Sequence, residues 1–549
     1  MLFRYSIVSS ANRGMRIHRL VQSYARERLS NEEQVTWINA IAAWLITTAP
    51  TDDLRIDSRN RADRLVPHVR GLVDHLKRLL DTDAASEIEV PTFIRLFDLT
   101  GIYLHRVGRL ADADGALRRA LTLTADLPPG PDRALLEARL RSKLGGVLHD
   151  QASPGALELL LEALREAESS GIAPAKTATI RSRYGRYLQE TGKLRPAEEQ
   201  LDRALADAIE GYAIDSPVVA AIRSNLGRTL QDLGRMPEAQ VQYEKALAIT
   251  GRRYGDDDVR VPSRRNDLAG VLQYQGFFED AERQLESAVD ATCTAYGARR
   301  IPQALPIFVN LGAVRHDLGN HASAHDAFDE ALTVVKALDL VDHASSAVLY
   351  TNVGALLLAE GRGEESEQWH RRALGVIRKP GPRTGTWILV IQNNLGPVLY
   401  MSDRAAEARD TLGDALQTCE RTFGPAHPRT AAVRSAFGNA LLRLGQPRAA
   451  ASEQRTAIDD TEPKYGRDHH RMAVYRNNLA LATHALGLYD EARQEFAEAE
   501  RIAIAKFGLD HPGTQSIAGN IIALDAGEQP AAALHVTLRI HQRLRAVDG

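Results

Sequence analysis

This chain of 549 residues is short of the features that carry most chemistry. It has two cysteines, Cys293 and Cys419, far apart and without a second pair, which excludes a disulfide framework and a cysteine zinc site and fits a reducing cytoplasm. No charge is in excess. With 68 Lys and Arg against 71 Asp and Glu, the basic field that non-specific nucleic-acid binding requires is missing. The longest apolar run, Ala40 to Ile46, falls far below the ~20 residues of a membrane-spanning helix, and the first residues lack the order of a secretory signal. No GxxxxGK[ST] loop is there to cradle phosphates and no GxSxG elbow to present a serine. Asp256-Asp257-Asp258 lacks the glycine and closing glutamate of a calcium loop. His316, His321 and His325 straddle an expected turn without the carboxylate spacing of a metal site. No catalytic activity, cofactor, metal, nucleic acid or membrane is therefore expected.

What the chain does have is a period of about 42 residues. Its anchors are Gly185, Gly227, Ala269, Gly312, Gly354, Gly396, Gly438 and Ala480. Seven residues past each stands a turn glycine, from Gly192 and Gly234 to Gly445 and Gly487, with Asp403 the lone departure. Small residues follow at twelve and nineteen past the anchor, such as Ala239 and Ala246 or Ser366 and Ala373. Seven residues is two helical turns, so these two rows share one face of a second helix. Apolar residues at helical spacing flank each turn, as Ile222, Leu226 and Leu230 then Val241, Tyr243 and Leu247 flank Gly234. The unit is a pair of helices meeting at a tight turn, held close by small side chains. Degenerate copies lie around Gly101 and Gly145, and a last copy runs from Ser516 to Leu544 around Gly527. Pro397, inside the first helix of one unit, is expected to kink it.

The anchor, turn and alanine spacing resembles the tetratricopeptide repeat. The long period resembles its kinesin-light-chain-like variety, with the inter-repeat signature Phe423-Gly424-Pro425-Ala426-His427-Pro428, Tyr465-Gly466-Arg467-Asp468-His469-His470 and Phe507-Gly508-Leu509-Asp510-His511-Pro512. The resemblance implies an all-α fold, a right-handed α-solenoid of about 10–11 repeats over residues 91–549. Gly ends one helix and Pro opens the next. The loop histidines stand one per repeat, too far apart in sequence to converge on a metal.

The first ninety residues read differently. Leu2 to Val8 alternates as a strand, Asn12-Arg13-Gly14 is a turn, Met15 to His18 returns, and a helix is expected from Leu20 to Leu29. Tyr5 to Val8, Ile17 to Gln22 and Tyr24 to Leu29 resemble the end of the winged helix in STAND NTPases of the NB-ARC type. Residues 1–29 are then a winged-helix remnant. Trp37, Trp44 and Leu65-Val66-Pro67-His68-Val69 resemble the helical connector of bacterial members, placed at 30–90. Of that family's Met-His-Asp triplet only His18 is retained, between Ile17 and Arg19. The N-terminus is either a true start or the truncation of a larger NTPase.

A binding surface is expected on the first helix of each unit, opposite its packed stripe. Two residues before the anchor lies about 200° around the helix, and there stand Asn225, Asp267, Asn310, Asn352, Asn394 and Asn478, with Asn266, Asn393 and Asn477 beside them. Four past the anchor stand Gln189, Gln231, Gln273 and His316, then Leu358, Tyr400, Leu442 and His484. A carboxamide both donates and accepts, so a spaced row of them can pair with the backbone of an extended peptide. The resemblance implies the same use of groove asparagines. The other reading is that these residues bond the adjacent helix. Arg141, Arg181, Arg223, Arg265, Arg434 and Arg476, four before their anchors, run along the packed stripe and are expected to bridge neighbouring repeats rather than to form a phosphate-binding ladder.

These readings converge on a non-enzymatic scaffold that binds a protein or peptide segment, as sensor or adaptor in STAND-like signalling in the cytoplasm. Two alternatives stand beside it. One is the detached regulatory half of an NB-ARC-type NTPase, partnered by a separately encoded nucleotide-binding protein; the other is the signal-sensing part of a transcription regulator.

Overall fold

The computed structural model describes residues 8–11, 14–17, 28–48, 56–106, 109–151, 153, 155–296, 301, 303–337, 340–341, 346–377 and 382–530. The chain divides into two compact units, Met1–Ala173 and Pro174–Gly549.

In the first unit, Val8–Ala11 and Gly14–Ile17 form an antiparallel hairpin with Val8 opposite Ile17 and Ala11 opposite Gly14. Of the expected strand Leu2 to Val8 only Val8 falls within the described residues, where it pairs with Ile17. The expected helix Leu20–Leu29 falls almost wholly outside the described residues. Helix Asn31–Thr48 starts in a capping box, where the Glu33 N–H donates to Ser30 Oγ at 3.2 Å and the Ser30 N–H to Glu33 Oε2 at 2.8 Å. Helix Ile56–Leu80 carries Pro67 inside it, and four further helices follow: Val90–Arg106, Leu110–Leu123, Pro131–Asp150 and Ala156–Ser169. Val35, Leu45, Leu72, Phe93, Phe97 and Leu117 are part of their common core.

The second unit is a run of helical pairs. They are Pro174–Glu190 with Leu194–Gly211, Pro217–Asp232 with Met236–Tyr254, Val261–Gln275 with Phe278–Tyr296, Ala304–Asp317 with His321–Ala337, Ala347–Ala359 with Gly363–Val376, Pro382–Met401 with Ala405–Phe423, Pro428–Arg443 with Pro447–Tyr465, and His470–Ala485 with Tyr489–Phe507. A ninth lead helix, Pro512–Asp525, follows. Each pair closes as the sequence pattern demands. A side chain sixteen residues past the anchor points at the bare anchor: a Cβ added to Gly185 would stand 2.8 Å from Leu201, one on Gly312 2.5 Å from Phe328, and one on Gly396 2.6 Å from Leu412. The glycine is required because this knob occupies the space of its missing side chain. Burying a Leu or Phe knob contributes roughly 1.5–3 kcal/mol. Two repeats use polar knobs. His370, beside Gly354, bonds the Ser366 carbonyl through Nδ1 at 2.8 Å, and Gln454, beside Gly438, donates to the Ser435 carbonyl at 2.8 Å.

The turn glycines Gly192, Gly234, Gly276, Gly319, Gly361, Gly445 and Gly487 all have φ between 71° and 82°. Asp403 takes the same left-handed turn with φ 58°, the one described non-glycine residue to do so. Pro397 does not end its helix, which runs unbroken from Pro382 to Met401. The arginine row is structural. Arg434 spans Glu453 at 3.0 Å and Glu420 at 2.6 Å, Arg476 spans Glu495 at 2.7 Å and Glu462 at 3.4 Å, and Arg223 donates to Gln242 at 2.8 Å. Each therefore clamps its lead helix to its own second helix, and in two cases to the preceding one.

Candidate functional site

The inner face of a lead helix is the side turned away from its own second helix, and the asparagine row lies there. Asn225, Asn266, Asn310, Asn352, Asn393, Asn394, Asn477 and Asn478 are all buried. Several bond to one another across repeats. Asn225 Nδ2 donates to Ser182 Oγ at 3.1 Å, Asn310 Nδ2 to Asn266 Oδ1 at 2.9 Å, Asn478 Nδ2 to Ser435 Oγ at 3.3 Å and Asn520 Nδ2 to Asn477 Oδ1 at 2.9 Å. The rule is simple: the amide two before an anchor reaches the side chain three before the anchor of the preceding repeat. Within one helix Asn393 donates to Asn394 at 3.0 Å. The row thus fastens repeats together while placing carboxamides along the inner faces.

In the glutamine row two members bond across repeats and one within its own pair. Gln189 donates to Asp232, Gln273 to Asp317 at 2.6 Å, and Gln231 accepts from Tyr243 at 3.3 Å. Tyr400 is buried, bonded to Asn439, and burial raises its pKa to about 12. One residue on these faces breaks the pattern. Five before the anchor the repeats carry buried Ile180, Ile222, Ile307, Leu349, Ile391, Val433 and Tyr475, but the third carries Arg264, only 9% exposed, with Nε lacking a hydrogen-bond partner. On the same helix face Asp267 is a buried carboxylate.

The lead helices also meet end to end. His427 Nε2 donates to the Asp232 carbonyl at 2.8 Å, His469 Nε2 to the Tyr274 carbonyl at 3.2 Å and His511 Nε2 to the Asp317 carbonyl at 3.1 Å. The partners are 195, 195 and 194 residues apart. Between four and five repeats bring the solenoid round onto itself, and its successive turns touch along a seam. Each histidine faces two ways. Its Nδ1 accepts the N–H of Arg429 at 3.1 Å, Arg471 at 3.3 Å or Gly513 at 3.0 Å and so caps the helix that follows. With Nδ1 accepting and Nε2 donating, the rings must be neutral. Burial, followed by the nearby Arg429 and Arg471, holds His427 and His469 down to about 3; burial also lowers His470 and His511.

The loop signature has its explanation here. Phe423 stacks on His427 at 4.9 Å, Tyr465 on His469 at 4.7 Å and Phe507 on His511 at 4.5 Å, so the aromatic sets the ring that caps and reaches back. The turn glycines of the earlier turn face these loops. A Cβ on Gly234 would come 3.3 Å from Pro428, on Gly276 2.9 Å from His470 Nδ1, and on Gly319 2.9 Å from Pro512. Arg429 pairs with Asp232 at 3.5 Å and bonds the Tyr274 hydroxyl, while Arg471 lies over the Tyr274 ring at 5.0 Å. The seam was missed in the sequence. Its trace is the loop residue that accepts a backbone N–H two or three positions on, which is Ser216 or Asp258 in loops of the earlier turn and histidine in three loops of the later one.

His325 bonds Glu360 at 2.8 Å and His316 packs edge-on against His321. Among the described residues no three His, Cys, Asp or Glu side chains gather as a metal site would, and no helix is long and apolar enough to cross a membrane.

Stacked helical pairs with bare anchors, left-handed turns and inter-repeat ladders define an α-solenoid. Residues 218–294, 303–379, 387–462 and 472–513 match the tetratricopeptide repeat, so this α-solenoid is built of tetratricopeptide repeats. No curated protein matches the chain in sequence. Among solved structures, a Rap protein complexed with competence and sporulation factor is 14% identical with a TM-score of 0.51, covering 68% of this chain and 98% of its own. BtubC (BKLC) from P. vanneervenii is 20% identical, TM-score 0.30, covering 51% and 92%. A tetratricopeptide repeat protein from Parabacteroides merdae ATCC 43184 is 13% identical, TM-score 0.34, covering 56% and 98%. At such identities the Rap likeness is one of fold. Tetratricopeptide repeats are protein-interaction scaffolds, and function on such a scaffold has to be argued from its own site.

Proposed function

We propose that this solenoid is a non-enzymatic scaffold that takes an extended protein or peptide segment along the inner faces of its lead helices, using the amides of Asn225, Asn310, Asn352, Asn394 and Asn478, the row Gln189, Gln231 and Gln273, and Tyr400. Arg264 carries the reading. A guanidinium buried at a level where seven other repeats bury an apolar or aromatic side chain costs stability unless its charge is paired, and a ligand can supply that partner. A solenoid of this fold complexed with competence and sporulation factor supports a ligand-taking role. The test is selection from a random peptide library, followed by titration of the enriched peptides into Arg264→Ile. Affinity should fall at least tenfold while the melting temperature holds or rises; unchanged affinity removes the assignment.

The kinesin-light-chain-like type is supported by the long period and the aromatic-Gly-x-x-His loops. A sensor or adaptor role in STAND-like signalling is supported by the hairpin at Val8–Ile17 and the helical stretch after it, and the cytoplasm is the compartment that role implies. One observation favours a second reading, in which the chain docks on a separately encoded NTPase. Trp37 and Trp44 are 60% and 58% exposed along one side of helix Asn31–Thr48, with Ile41 between them. A P-loop protein encoded nearby that co-purifies with the wild type and not with Trp37→Ala/Trp44→Ala would establish it.

A further inference from the structure

We propose that the seam holds a small oxyanion, bound by Arg471 with Arg429 and the Tyr465 hydroxyl beside it. The inference is independent of what lies along the inner faces. Arg471 sits in the first turn of helix His470–Ala485, is 6% exposed, and stacks on Tyr274 of the earlier turn. Its Nε and Nη1 are buried without a hydrogen-bond partner, and the buried Tyr465 hydroxyl is orphaned as well. Arg429 differs in having the Asp232 carboxylate at 3.5 Å.

The surroundings are cationic. The seam rings of His427 and His469 feel Arg429, Lys464, Arg471 and Lys506, against the carboxylate of Asp232. Tyr274 reports the same field from the other turn: burial pushes its hydroxyl up, yet Arg429 and Arg471 together bring it below its ordinary value. A water molecule satisfies an N–H and leaves the guanidinium charge uncompensated, whereas an oxyanion does both. The helix N-terminus behind Arg471 adds its own positive end. Because Arg471 belongs to the later turn and Tyr274 to the earlier one, an anion there ties the two turns together.

Phosphate and carboxylate share this chemistry, and the probes separate them. The full chain is titrated by calorimetry, at constant ionic strength, with inorganic phosphate, with N-acetylglycine as a free carboxylate, and with N-acetylglycinamide as its neutral control. Saturable binding of phosphate or N-acetylglycine, with a rise in melting temperature, is expected. Phosphate alone marks a phosphate-bearing ligand; N-acetylglycine without its amide marks a chain carboxylate. Arg471→Gln should weaken binding at least tenfold. Tyr465→Phe should weaken it severalfold and leave the apo melting temperature unchanged, which keeps the test open if Arg471→Gln does not fold. Arg467→Gln, on the neighbouring exposed loop, should bind like the wild type. No saturable binding of either anion, or equal binding by Tyr465→Phe and the wild type, overturns the site.

Discussion

His469 caps the helix that begins at His470 through one ring nitrogen and holds the carbonyl of Tyr274, 195 residues earlier, through the other. A local device of the repeat is thereby also a long-range tie. The same ring cannot perform both tasks once protonated, because Nδ1 then carries a hydrogen where the Arg471 N–H already points.

Acid should therefore open the seam. The folded-state values of His427 and His469 lie at about 3, below the ordinary 6.5, so the unfolded or opened chain takes up protons first as pH falls. Stability is full above about pH 6.5 and is lost between there and about 3. At pH 5 each ring contributes a loss of about 2 kcal/mol. Melting temperature measured from pH 7.5 to 5 should fall steeply, and His469→Gln, which cannot titrate, should show a shallower slope. An unchanged slope would remove the assignment of these rings as neutral ties.

Gly276 and Gly192 separate the turn from the seam. Both hold left-handed backbone, with φ 82° and 81°, but a Cβ on Gly192 would meet nothing within 4 Å, whereas one on Gly276 would meet His470 at 2.9 Å. Alanine at either costs about 1–2 kcal/mol for the backbone. Gly276→Ala should add about 1–3 kcal/mol of overpacking and expose the loop at 466–471 to limited proteolysis. Equal losses for the two variants would mean that the turns do not touch.

Most of the repeat was legible because its rules are local. A bare anchor, a left-handed turn and two alanine rows each require one residue type at one offset, as at Gly227, Gly234, Ala239 and Ala246. The knob sixteen past the anchor was hidden by its chemical variety, Leu201 in one repeat and Tyr243, Phe328, His370 or Gln454 in others. Of the inner faces, the asparagine row was legible as a pattern. Its partners Ser182 and Ser435 were not, since they are set by how neighbouring repeats rotate. The seam lay furthest from view: contact between Asp232 and His427 depends on small rotations summed over several repeats.

Asp403 offers a gain. It occupies, at φ 58°, the place that glycine fills in seven other turns, and a non-glycine residue pays for the left-handed conformation. Asp403→Gly should stabilise its repeat by about 1 kcal/mol. Hydrogen exchange of the helices Pro382–Met401 and Ala405–Phe423 should slow, with repeats far from it unaffected. Faster exchange there would show that the Asp403 side chain does something the turn needs.

His370 should yield a second gain, and its pH dependence identifies the cause. The ring is fully buried against Gly354 where other repeats place Leu201, Leu285 or Leu412; Nδ1 bonds the Ser366 carbonyl and Nε2 has no partner. Burial holds its pKa at about 4, so the fold weakens as pH falls from about 6.5 towards 4. His370→Leu removes the orphaned nitrogen, a term of about 1–3 kcal/mol, and gives up one neutral hydrogen bond of about 1 kcal/mol. The net at pH 7.5 is a small rise in stability, about 1 kcal/mol. At pH 5 the advantage should grow by about 2 kcal/mol, since the wild-type ring then opposes folding and leucine does not. Melting curves of the two proteins at both pH values measure this difference; a constant gap would show that His370 takes up its proton in the folded state as readily as in the unfolded one.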